Sequence, residues 1–270
     1  MSAATDPVLA VAIRAARTAG SILLDAARDL LRLPTFSKEH AQIVSGADME
    51  AEDAIVATLR GAFPDHAILG EESGHIVGAR EGGGYRWLVD PIDGSANFVH
   101  GYPAYAISIA LVHGTEITHA VILDPVRDEL YAAARGKGAT CNDVALRVST
   151  CLDLTSALVA TVAPSREHPK LADSLPLVAA VNRACAGVRQ PGSSALSLAH
   201  LAGGRLDGFW MTGLKPWDIA AGALMVKESG GRIGDFAGGT QFLRTTEVIA
   251  AAPGVFNPLR ETIAAAAGAA

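Results

Sequence analysis

The segment from Trp87 to Phe98 constrains the fold most, because it predicts an apolar strand that runs directly into a helix. Asp90 and Asp93 stand three residues apart at the end of this strand. Gly94 then opens the predicted turn into the helix. Paired carboxylates suit a hard cation such as Mg²⁺, and N–H groups at a helix start suit a phosphate. An ordinary strand and turn would have the same pattern, since Asp-Pro and Asp-Gly are common turn dipeptides.

Two further segments place acidic residues at the ends of predicted elements. Glu71 and Glu72 follow the short apolar strand 67–69, and like charges so close repel unless a positive charge lies near them. Asp218 follows Trp217 in the first turn of a predicted helix, where the helix dipole also favours an acid. Each segment alone indicates a solvated turn or a helix-start acid about as well as it indicates a metal ligand.

Helices and strands alternate along the chain. Asp6 and Pro7 form a cap and first-turn pair for a helix whose apolar residues recur at helical spacing up to Leu31. The pattern then predicts a helix at 49–62, strands at 67–69 and 86–89, and antiparallel strands at 105–112, 118–123 and 129–134. From 158 to 267 strands again alternate with helices. This order predicts an α/β (α+β) fold of layered sheets covered by helices.

The composition narrows the class of protein. The chain has 270 residues, of which 50% are hydrophobic and 19% are charged, enough for a substantial core. Its net charge of −6 provides no overall basic field to attract nucleic acid. Three cysteines without CxxC spacing suit reduced thiols. The first residues show no signal-peptide core, and the apolar run 104–112 is far shorter than the ~20 residues of a membrane helix. We therefore expect a cytoplasmic protein.

Six segments together resemble one known family. They are Gly70-Glu71-Glu72, Asp90-Pro91-Ile92-Asp93-Gly94-Ser95, 97–103, 136–139, Trp217-Asp218 and 228–231. The set resembles the inositol monophosphatase family of Mg²⁺-dependent, lithium-sensitive phosphatases. The resemblance implies a layered αβαβα sandwich of the inositol monophosphatase and fructose-1,6-bisphosphatase type. It also implies an N-terminal α+β half, residues 1–139, with most metal ligands, and a C-terminal α/β half, residues 140–270, with Asp218 and the substrate-facing segments.

The resemblance further implies which residues hold the metal ions. Glu71, Asp90 and the backbone carbonyl of Ile92 would hold one Mg²⁺. Asp90, Asp93 and Asp218 would hold a second. Glu71 would also share a weaker third. Hydrolysis of a phosphomonoester places charge on the attacking and leaving oxygens, and two ions roughly 3.5–4 Å apart can stabilise both. The cations would also offset the repulsion among the four acidic side chains.

Asp48 and Ser95 form the predicted water-activating pair. The segment 44–48 resembles the family's Val-Thr-x-x-Asp segment, and Ser95 keeps the hydroxyl that family members usually carry on Thr. Asp48 would accept a hydrogen bond from Ser95, which would orient the water, while the N–H groups of Gly94 and Ser95 would bind the phosphate. Asp48 could instead be a first-turn helix acid. Lys38 lies in a segment resembling the family's mobile loop, although a solvated loop lysine fits the same pattern.

Three residues are candidates for contact with the alcohol part of the substrate. In inositol-specific members a Glu seven residues before the Trp-Asp aspartate binds a ring hydroxyl, and here that position is Met211. A thioether is a weak acceptor, so this exchange argues against strict inositol specificity. Ser193 and Ser194 occupy the other sugar-facing segment. Either serine could instead cap the following helix, and we expect Ser194 to be that cap.

The expected function is that of a cytoplasmic, homodimeric phosphomonoesterase with two or three Mg²⁺ ions. Attack of a metal-activated water would convert inositol 1-phosphate, a small phosphorylated polyol, to inositol and phosphate. The alternatives are a histidinol-phosphate phosphatase and a broad-specificity sugar or nucleotide phosphatase. A different class stays open, because some bacterial relatives act as adaptors of the RNA-transcription machinery. The scattered Lys and Arg residues of this acidic chain do not support it, and we expect no membrane and no nucleic-acid partner.

Overall fold

The computed structural model describes residues 6–31, 38–76, 84–162 and 171–267. These residues form eight helices: Pro7–Leu30 (α1), Lys38–Ala62 (α2), Ser95–Val99 (α3), Leu171–Ala184 (α4), Ser194–Ala202 (α5), Pro216–Glu228 (α6), Phe242–Thr245 (α7) and Pro253–Ala267 (α8). The same residues form thirteen strands: Ala67–Gly70 (β1), Gly74–Ile76 (β2), Tyr85–Asp93 (β3), Ala106–His113 (β4), Glu116–Asp124 (β5), Glu129–Ala134 (β6), Gly138–Cys141 (β7), Val144–Ala145 (β8), Leu158–Thr161 (β9), Gly187–Arg189 (β10), Gly208–Thr212 (β11), Arg232–Gly234 (β12) and Glu247–Ala251 (β13).

The strands form two mixed sheets. The first has the order β2-β1-β3-β4-β5-β6-β7-β8 and is antiparallel except where β1 pairs with β3. The predicted antiparallel set is therefore confirmed as β4, β5 and β6. The second sheet has the order β10-β9-β11-β13-β12, with β9 parallel to both of its neighbours and the other pairs antiparallel.

Helices and sheets stack in five layers. α1 and α2 pack on one face of the first sheet, and α5 and α6 pack on the other. α5 and α6 also contact the second sheet, whose far face is covered by α4 and α8. One core cluster includes Leu88 of β3 and Ala250 of β13, so the two sheets share a core through the middle helices. The expected αβαβα layering is confirmed.

α1 begins at the predicted cap. The Asp6 carboxylate accepts from the N–H groups of Val8 at 3.0 Å and Leu9 at 3.2 Å. Among the described residues, α1 is the one helix long and apolar enough to cross a membrane. Core helices pass the same test, and here Ala16 and Leu23 are fully buried where α1 packs on α2 and the first sheet. Packing in the core therefore accounts for the apolar character of this helix.

α2 and β3 are longer than the sequence pattern predicts. α2 begins at Lys38, so the expectation that this residue lies in a loop is wrong. The added residues 38–48 contain no proline and a single glycine, so nothing in them stops a helix. The Lys38 side chain lies outside the described part of the chain, and a position near the metal site, which the likeness to the family's mobile loop implies, stays a prediction. β3 runs to Asp93, beyond the predicted end at 89.

Candidate metal and phosphate site

A bulge in β3 brings two carboxylates to one side of the first sheet. Residues three apart on a regular strand point to opposite faces. Here Asp90 pairs with Ser108 and Asp93 pairs with Ala106, so three steps on β3 match two on β4. Such an inserted residue re-aims the side chains around it, and Pro91, which has no N–H, is tolerated there. The irregularity makes neighbours of two aspartates that a regular strand would separate.

Asp218 reaches the same place from the start of α6. Asp90, Asp93 and Asp218 each offer an oxygen within 4.8 Å of the others. The Asp218 carboxylate accepts the backbone N–H of Lys215 at 2.7 Å, in a capping-box arrangement. Ser108 of β4 donates to a backbone carbonyl in the first turn of α6 at 3.0 Å and so fastens this helix start to the first sheet. Asp218 is thus both a helix-start acid and a member of the cluster.

Glu71 lies beside Asp90 because β1 and β3 are parallel neighbours. Gly70 pairs with Val89, so the next residue of each strand lies at the same edge of the sheet. The Glu71 N–H donates to the Val89 carbonyl at 3.1 Å, and the Asp90 carboxyl group lies close enough to Glu71 to influence its pKa. The structure thus brings three acids of the predicted metal site within 4.8 Å of one another and places the fourth, Glu71, beside Asp90.

Burial raises the pKa of every carboxyl group in this cluster, and repulsion adds to the rise for Asp90, Asp218 and Glu71. Burial, followed by the charges of Asp93 and Glu71, raises the pKa of Asp90 well above its usual range. Burial, followed by the charge of Asp93, raises the pKa of Asp218 to about 7. Burial raises the pKa of Asp93 to about 6, although hydrogen bonds from Ser193 and two backbone N–H groups oppose the rise. The pKa of Glu71 is also raised, again chiefly by burial.

This donor set fits a hard divalent cation. Mg²⁺ takes oxygen ligands, mainly carboxylates and carbonyls. A cation among these side chains would offset the burial and the repulsion that raise their pKa values. The Ile92 side chain is buried in the core and its N–H donates to Asp90 at 3.0 Å, while the role of its carbonyl as a ligand stays a prediction. That hydrogen bond keeps the Asp90 carboxylate beside the peptide whose carbonyl is the predicted ligand.

Asp48 approaches the cluster from α2. It lies in the interior of that helix, so the alternative of a first-turn acid is wrong. Burial, followed by the charges of Glu72 and Glu71, raises the pKa of Asp48 to about 7. Among the described residues Asp48 takes no hydrogen bond from Ser95. The water-activating pair therefore stays a prediction.

Glu52 is a buried acid that the sequence pattern did not single out. It lies one turn after Asp48 on α2 and is 2% exposed. Its carboxylate accepts the N–H groups of Glu72 at 3.0 Å and Ser73 at 2.9 Å, and also the Ser73 hydroxyl. The one available signal was spacing, since an acid four residues after Asp48 lies on the same helix face.

The predicted turn for a phosphate is present at the end of β3. α3 begins at Ser95, and its cap Gly94 lies in the left-handed region at φ 97°. A Cβ on Gly94 would lie 2.9 Å from the carbonyl oxygen of Ala104, so the turn requires glycine. The first N–H groups of a helix have no partner within it. α3 has only five residues, so its own dipole is small and binding of a phosphate by Gly94 and Ser95 stays a prediction.

Ser193, rather than Ser194, caps α5. Ser193 is extended at φ −134°, and its hydroxyl oxygen accepts from the Leu196 N–H at 3.2 Å. The same hydroxyl donates to the Asp93 carboxylate, which also accepts the Ala195 N–H at 2.8 Å. The expected cap at Ser194 is wrong, because α5 begins at Ser194 and this residue is already helical.

Ser194 contacts Met211 and also lies beside Asp93. The Ser194 N–H approaches Asp93 at 3.3 Å, and its hydroxyl donates to the Met211 sulfur at 3.8 Å. Met211 is 8% exposed and belongs to the core cluster shared by α5 and α6. It also lines a cavity of about 60 Å³ with Thr212. The segment lies beside the site, and contact with a substrate stays a prediction.

The layered fold and the converging carboxylates define an α/β protein with a candidate metal site between its layers. A model of the inositol monophosphatase family matches residues 4–268, nearly the whole chain, and the chain belongs to this family. The resemblance seen in the motifs is therefore confirmed.

Some of the proteins similar to this chain are named SuhB, and others are named inositol monophosphatase. The chain is 43% identical over 260 residues to Nus factor SuhB of Pseudomonas aeruginosa, covering 96% of each protein. Among solved structures it is similar to the extragenic suppressor protein suhB from Bartonella henselae, with a TM-score of 0.86, 37% identity, and coverage of 96% of this chain and 100% of that one. It is also similar to inositol monophosphatase from Anabaena, with a TM-score of 0.84, 32% identity and coverage of 94% of both.

Proposed function

We propose that this protein is a Mg²⁺-dependent phosphomonoesterase that hydrolyses inositol 1-phosphate to inositol and phosphate. The convergence of Asp90, Asp93 and Asp218 beside the Gly94 turn, with Glu71 next to Asp90, carries this proposal. Family membership supports the phosphatase class, and the likeness to inositol monophosphatase from Anabaena supports the substrate.

The metal ligands are those that the resemblance implies. Glu71, Asp90 and the Ile92 carbonyl would hold one ion, Asp90, Asp93 and Asp218 a second, and Glu71 would share a third. Bound ions of this kind supply positive charge to the phosphoryl oxygens and make water more acidic. The protein's own part is to hold the ligands in place. The N–H groups at the start of α5 hold Asp93, and the Lys215 N–H holds Asp218.

The remaining polar groups of the site would handle the phosphate and a proton. The N–H groups of Gly94 and Ser95 would donate to phosphate oxygens. The Asp48 carboxylate would accept the hydrogen bond of the Ser95 hydroxyl, whose oxygen would orient the attacking water. The Asp48 carboxylate would take up the proton of the water through this hydrogen bond, as a general base does.

The proposal is tested by phosphate release from a panel of substrates. The panel contains inositol 1-phosphate, histidinol phosphate, glycerol 2-phosphate, NADP and a 3′-phosphonucleotide. Activity should vanish with EDTA and return with Mg²⁺. Ca²⁺ should inhibit because its coordination is larger and looser, and Li⁺ should inhibit as in the family. Undiminished turnover in metal-free buffer would contradict the metal-dependent mechanism, and a preference for histidinol phosphate or a nucleotide would select one of the alternatives.

A second function, as an adaptor of the transcription machinery, is favoured by one observation. The Pseudomonas aeruginosa relative is a Nus factor, and its likeness to this chain extends over 96% of both. If the adaptor role is independent of catalysis, wild type and the metal-site variant Asp218→Asn should retain RNA polymerase equally in a pull-down. Failure of both to retain it would remove this function.

Quaternary structure and location complete the proposal. We expect a homodimer in the cytoplasm, and sedimentation equilibrium of the purified chain would measure its mass against the 27.8 kDa of one copy. A monomer at micromolar concentration would contradict the dimer.

A further inference from the structure

We propose that Glu52 is a positioning residue for the metal site, because its buried carboxylate holds the turn that presents Glu71. This inference rests on the proposed function, since it takes Glu71 to be a metal ligand. Glu52 itself is one turn of α2 away from Asp48 and contacts the backbone of the turn.

Both carboxylate oxygens of Glu52 are engaged by that turn. Oε2 accepts the N–H of Glu72, the residue directly after Glu71. Oε1 accepts both the N–H and the hydroxyl of Ser73. Hydrogen bonds to an ionised acceptor are about twice as strong as neutral ones. The peptide on the C-terminal side of Glu71 is therefore held by a charged acceptor that comes from a different element.

The peptide on the N-terminal side of Glu71 is shaped by the same carboxylate. A Cβ on Gly70 would lie 2.5 Å from the carboxylate carbon of Glu52. With Glu52 in its observed position, only glycine fits at the end of β1. Gly70, directly before Glu71, leaves room for the Glu52 side chain. Glu72, directly after Glu71, donates its N–H to the Glu52 carboxylate.

Simple packing of α2 on the sheet does not account for an acid at this position. The neighbouring buried residues Ala51, Ile55 and Leu59 pack the same helix without a charge. Burying a carboxylate costs several kcal/mol unless other groups compensate. Among the ion pairs of the described residues, none involves Glu52. The negative charge of Glu52 also repels that of Glu71 and raises its pKa. The same charge attracts a cation to Glu71.

Glu52→Gln tests the inference with little change of shape. The amide has one acceptor oxygen in place of two, and its NH₂ group would face N–H donors of the turn. The measurement is the binding of Mn²⁺ to the full chain by titration calorimetry, without substrate. Loss of a residue that orients a metal ligand weakens binding by about 10–100-fold, and we expect at least ten-fold here. The Mg²⁺ concentration for half-maximal activity should rise in parallel, with the KM for inositol 1-phosphate at saturating Mg²⁺ unchanged.

Asp235→Asn is the matched control. Asp235 is also a buried acid, 5% exposed, that accepts a backbone N–H, that of Gly239 at 2.7 Å. A Cβ on Gly239 would lie 2.8 Å from its carboxylate, as in the pairing of Gly70 with Glu52. Because Asp235 follows β12 and holds no part of the turn at Glu71, this variant should lose thermal stability while binding Mn²⁺ as tightly as wild type.

The outcomes separate the two proposals. A folded Glu52→Gln protein that binds Mn²⁺ within two-fold of wild type would overturn the role of Glu52 alone. An equal loss in Asp235→Asn would overturn it too, by showing a general effect of stability. Wild-type protein that bound no Mn²⁺ would overturn the proposed function and this inference together. If Glu52→Gln does not fold, Ser73→Ala decides, because it removes one donor to Glu52. Its Mn²⁺ affinity should fall by about three-fold, and an unchanged affinity would overturn the inference.

Discussion

The two sheets supply the site with different kinds of structure. From the first sheet, Glu71, Asp90 and Asp93 lie where the parallel strands β1 and β3 end, so hydrogen-bond register sets their spacing. The half that contains the second sheet supplies helix starts. α6 carries Asp218 in its first turn, and α5 points N–H groups at Asp93. Strand ends therefore carry most of the acids of the cluster. Helix starts provide most of the hydrogen-bond donors to those acids.

Two serines form hydrogen bonds between the strand ends and the helix starts, one donating from each region to the other. Ser193, in the C-terminal half, donates to Asp93 of β3. Ser108, in β4, donates to a backbone carbonyl at the start of α6, next to Asp218. Asp93 and the helix start that carries Asp218 thus each receive a hydrogen bond from a distant part of the chain. The complete cluster therefore depends on the packing of the two regions, whereas Asp90 is held by an N–H of its own strand.

The largest effect is expected from removing one charge of the cluster. Asp93→Asn and Asp218→Asn should each lower turnover by at least about a hundred-fold, because a neutral amide is a weaker ligand for a hard cation. Asp218→Asn loses only one backbone contact and should keep its melting temperature in EDTA, where repulsion in the cluster is relieved. Steady-state kinetics and thermal melts measure both. A folded variant with near-normal turnover would show that these residues serve only as turn and cap.

A smaller effect is expected from cutting one link between the halves. Ser193→Ala removes the cap of α5 and the hydroxyl bond to Asp93, and should lower the free energy of unfolding by about 1–2 kcal/mol. Ser194→Ala is the matched control, since its hydroxyl contacts only the Met211 sulfur, and should cost less than about 0.5 kcal/mol. Urea denaturation compares the two variants. Equal losses would mean that the link through Ser193 contributes nothing beyond serine burial.

Met211→Glu tests whether substrate selectivity can change while metal binding does not. A charged hydrogen bond to a ring hydroxyl is worth roughly 1.5–3 kcal/mol, so selectivity for inositol 1-phosphate over glycerol 2-phosphate should rise by about ten-fold or more. The Mg²⁺ requirement should not change. Burial of Met211 makes the competing outcome a loss of stability, because an unpaired buried charge is costly. A thermal melt beside the kinetics separates the two, and a stable variant with an unmoved selectivity ratio would remove Met211 from the substrate site.

The smallest effect concerns pH in the absence of metal. The pKa values of Asp48 and Asp218 rise from 3.8 to about 7 on folding, so the folded chain binds protons more tightly than the unfolded one. This contribution to stability is fully present below pH 3.8 and is lost as the pH rises to about 7. In EDTA the melting temperature should therefore fall between pH 5 and pH 8 by a few degrees, as small free-energy changes do. Mg²⁺ should abolish the fall, and Asp218→Asn should reduce it. A melting temperature that rose over this range in EDTA would contradict the repulsive cluster.

Much of the site could be predicted from local sequence. The Asp6 cap, the antiparallel strands and the element order follow from capping and periodicity, which act over a few residues. The acidic residues at the ends of predicted elements were recognised as one set through the family resemblance, because each alone fits an ordinary turn or helix start equally well. The predictions were wrong where they depended on the exact residue at which a helix begins. The start of α5 makes Ser193 the cap, and the start of α2 places Lys38 in a helix.

By itself, the sequence determined which side chains could bind a cation and the order of elements that carries them. Tertiary structure decided which of them meet. The bulge that aligns Asp90 with Asp93 exists only in the pairing of β3 with β4. Glu52 acts on a turn about twenty residues later in the chain, and Ser193 acts on an acid about a hundred residues earlier. Such contacts leave no local pattern, because their geometry is set by how helices and sheets pack and not by neighbours in sequence.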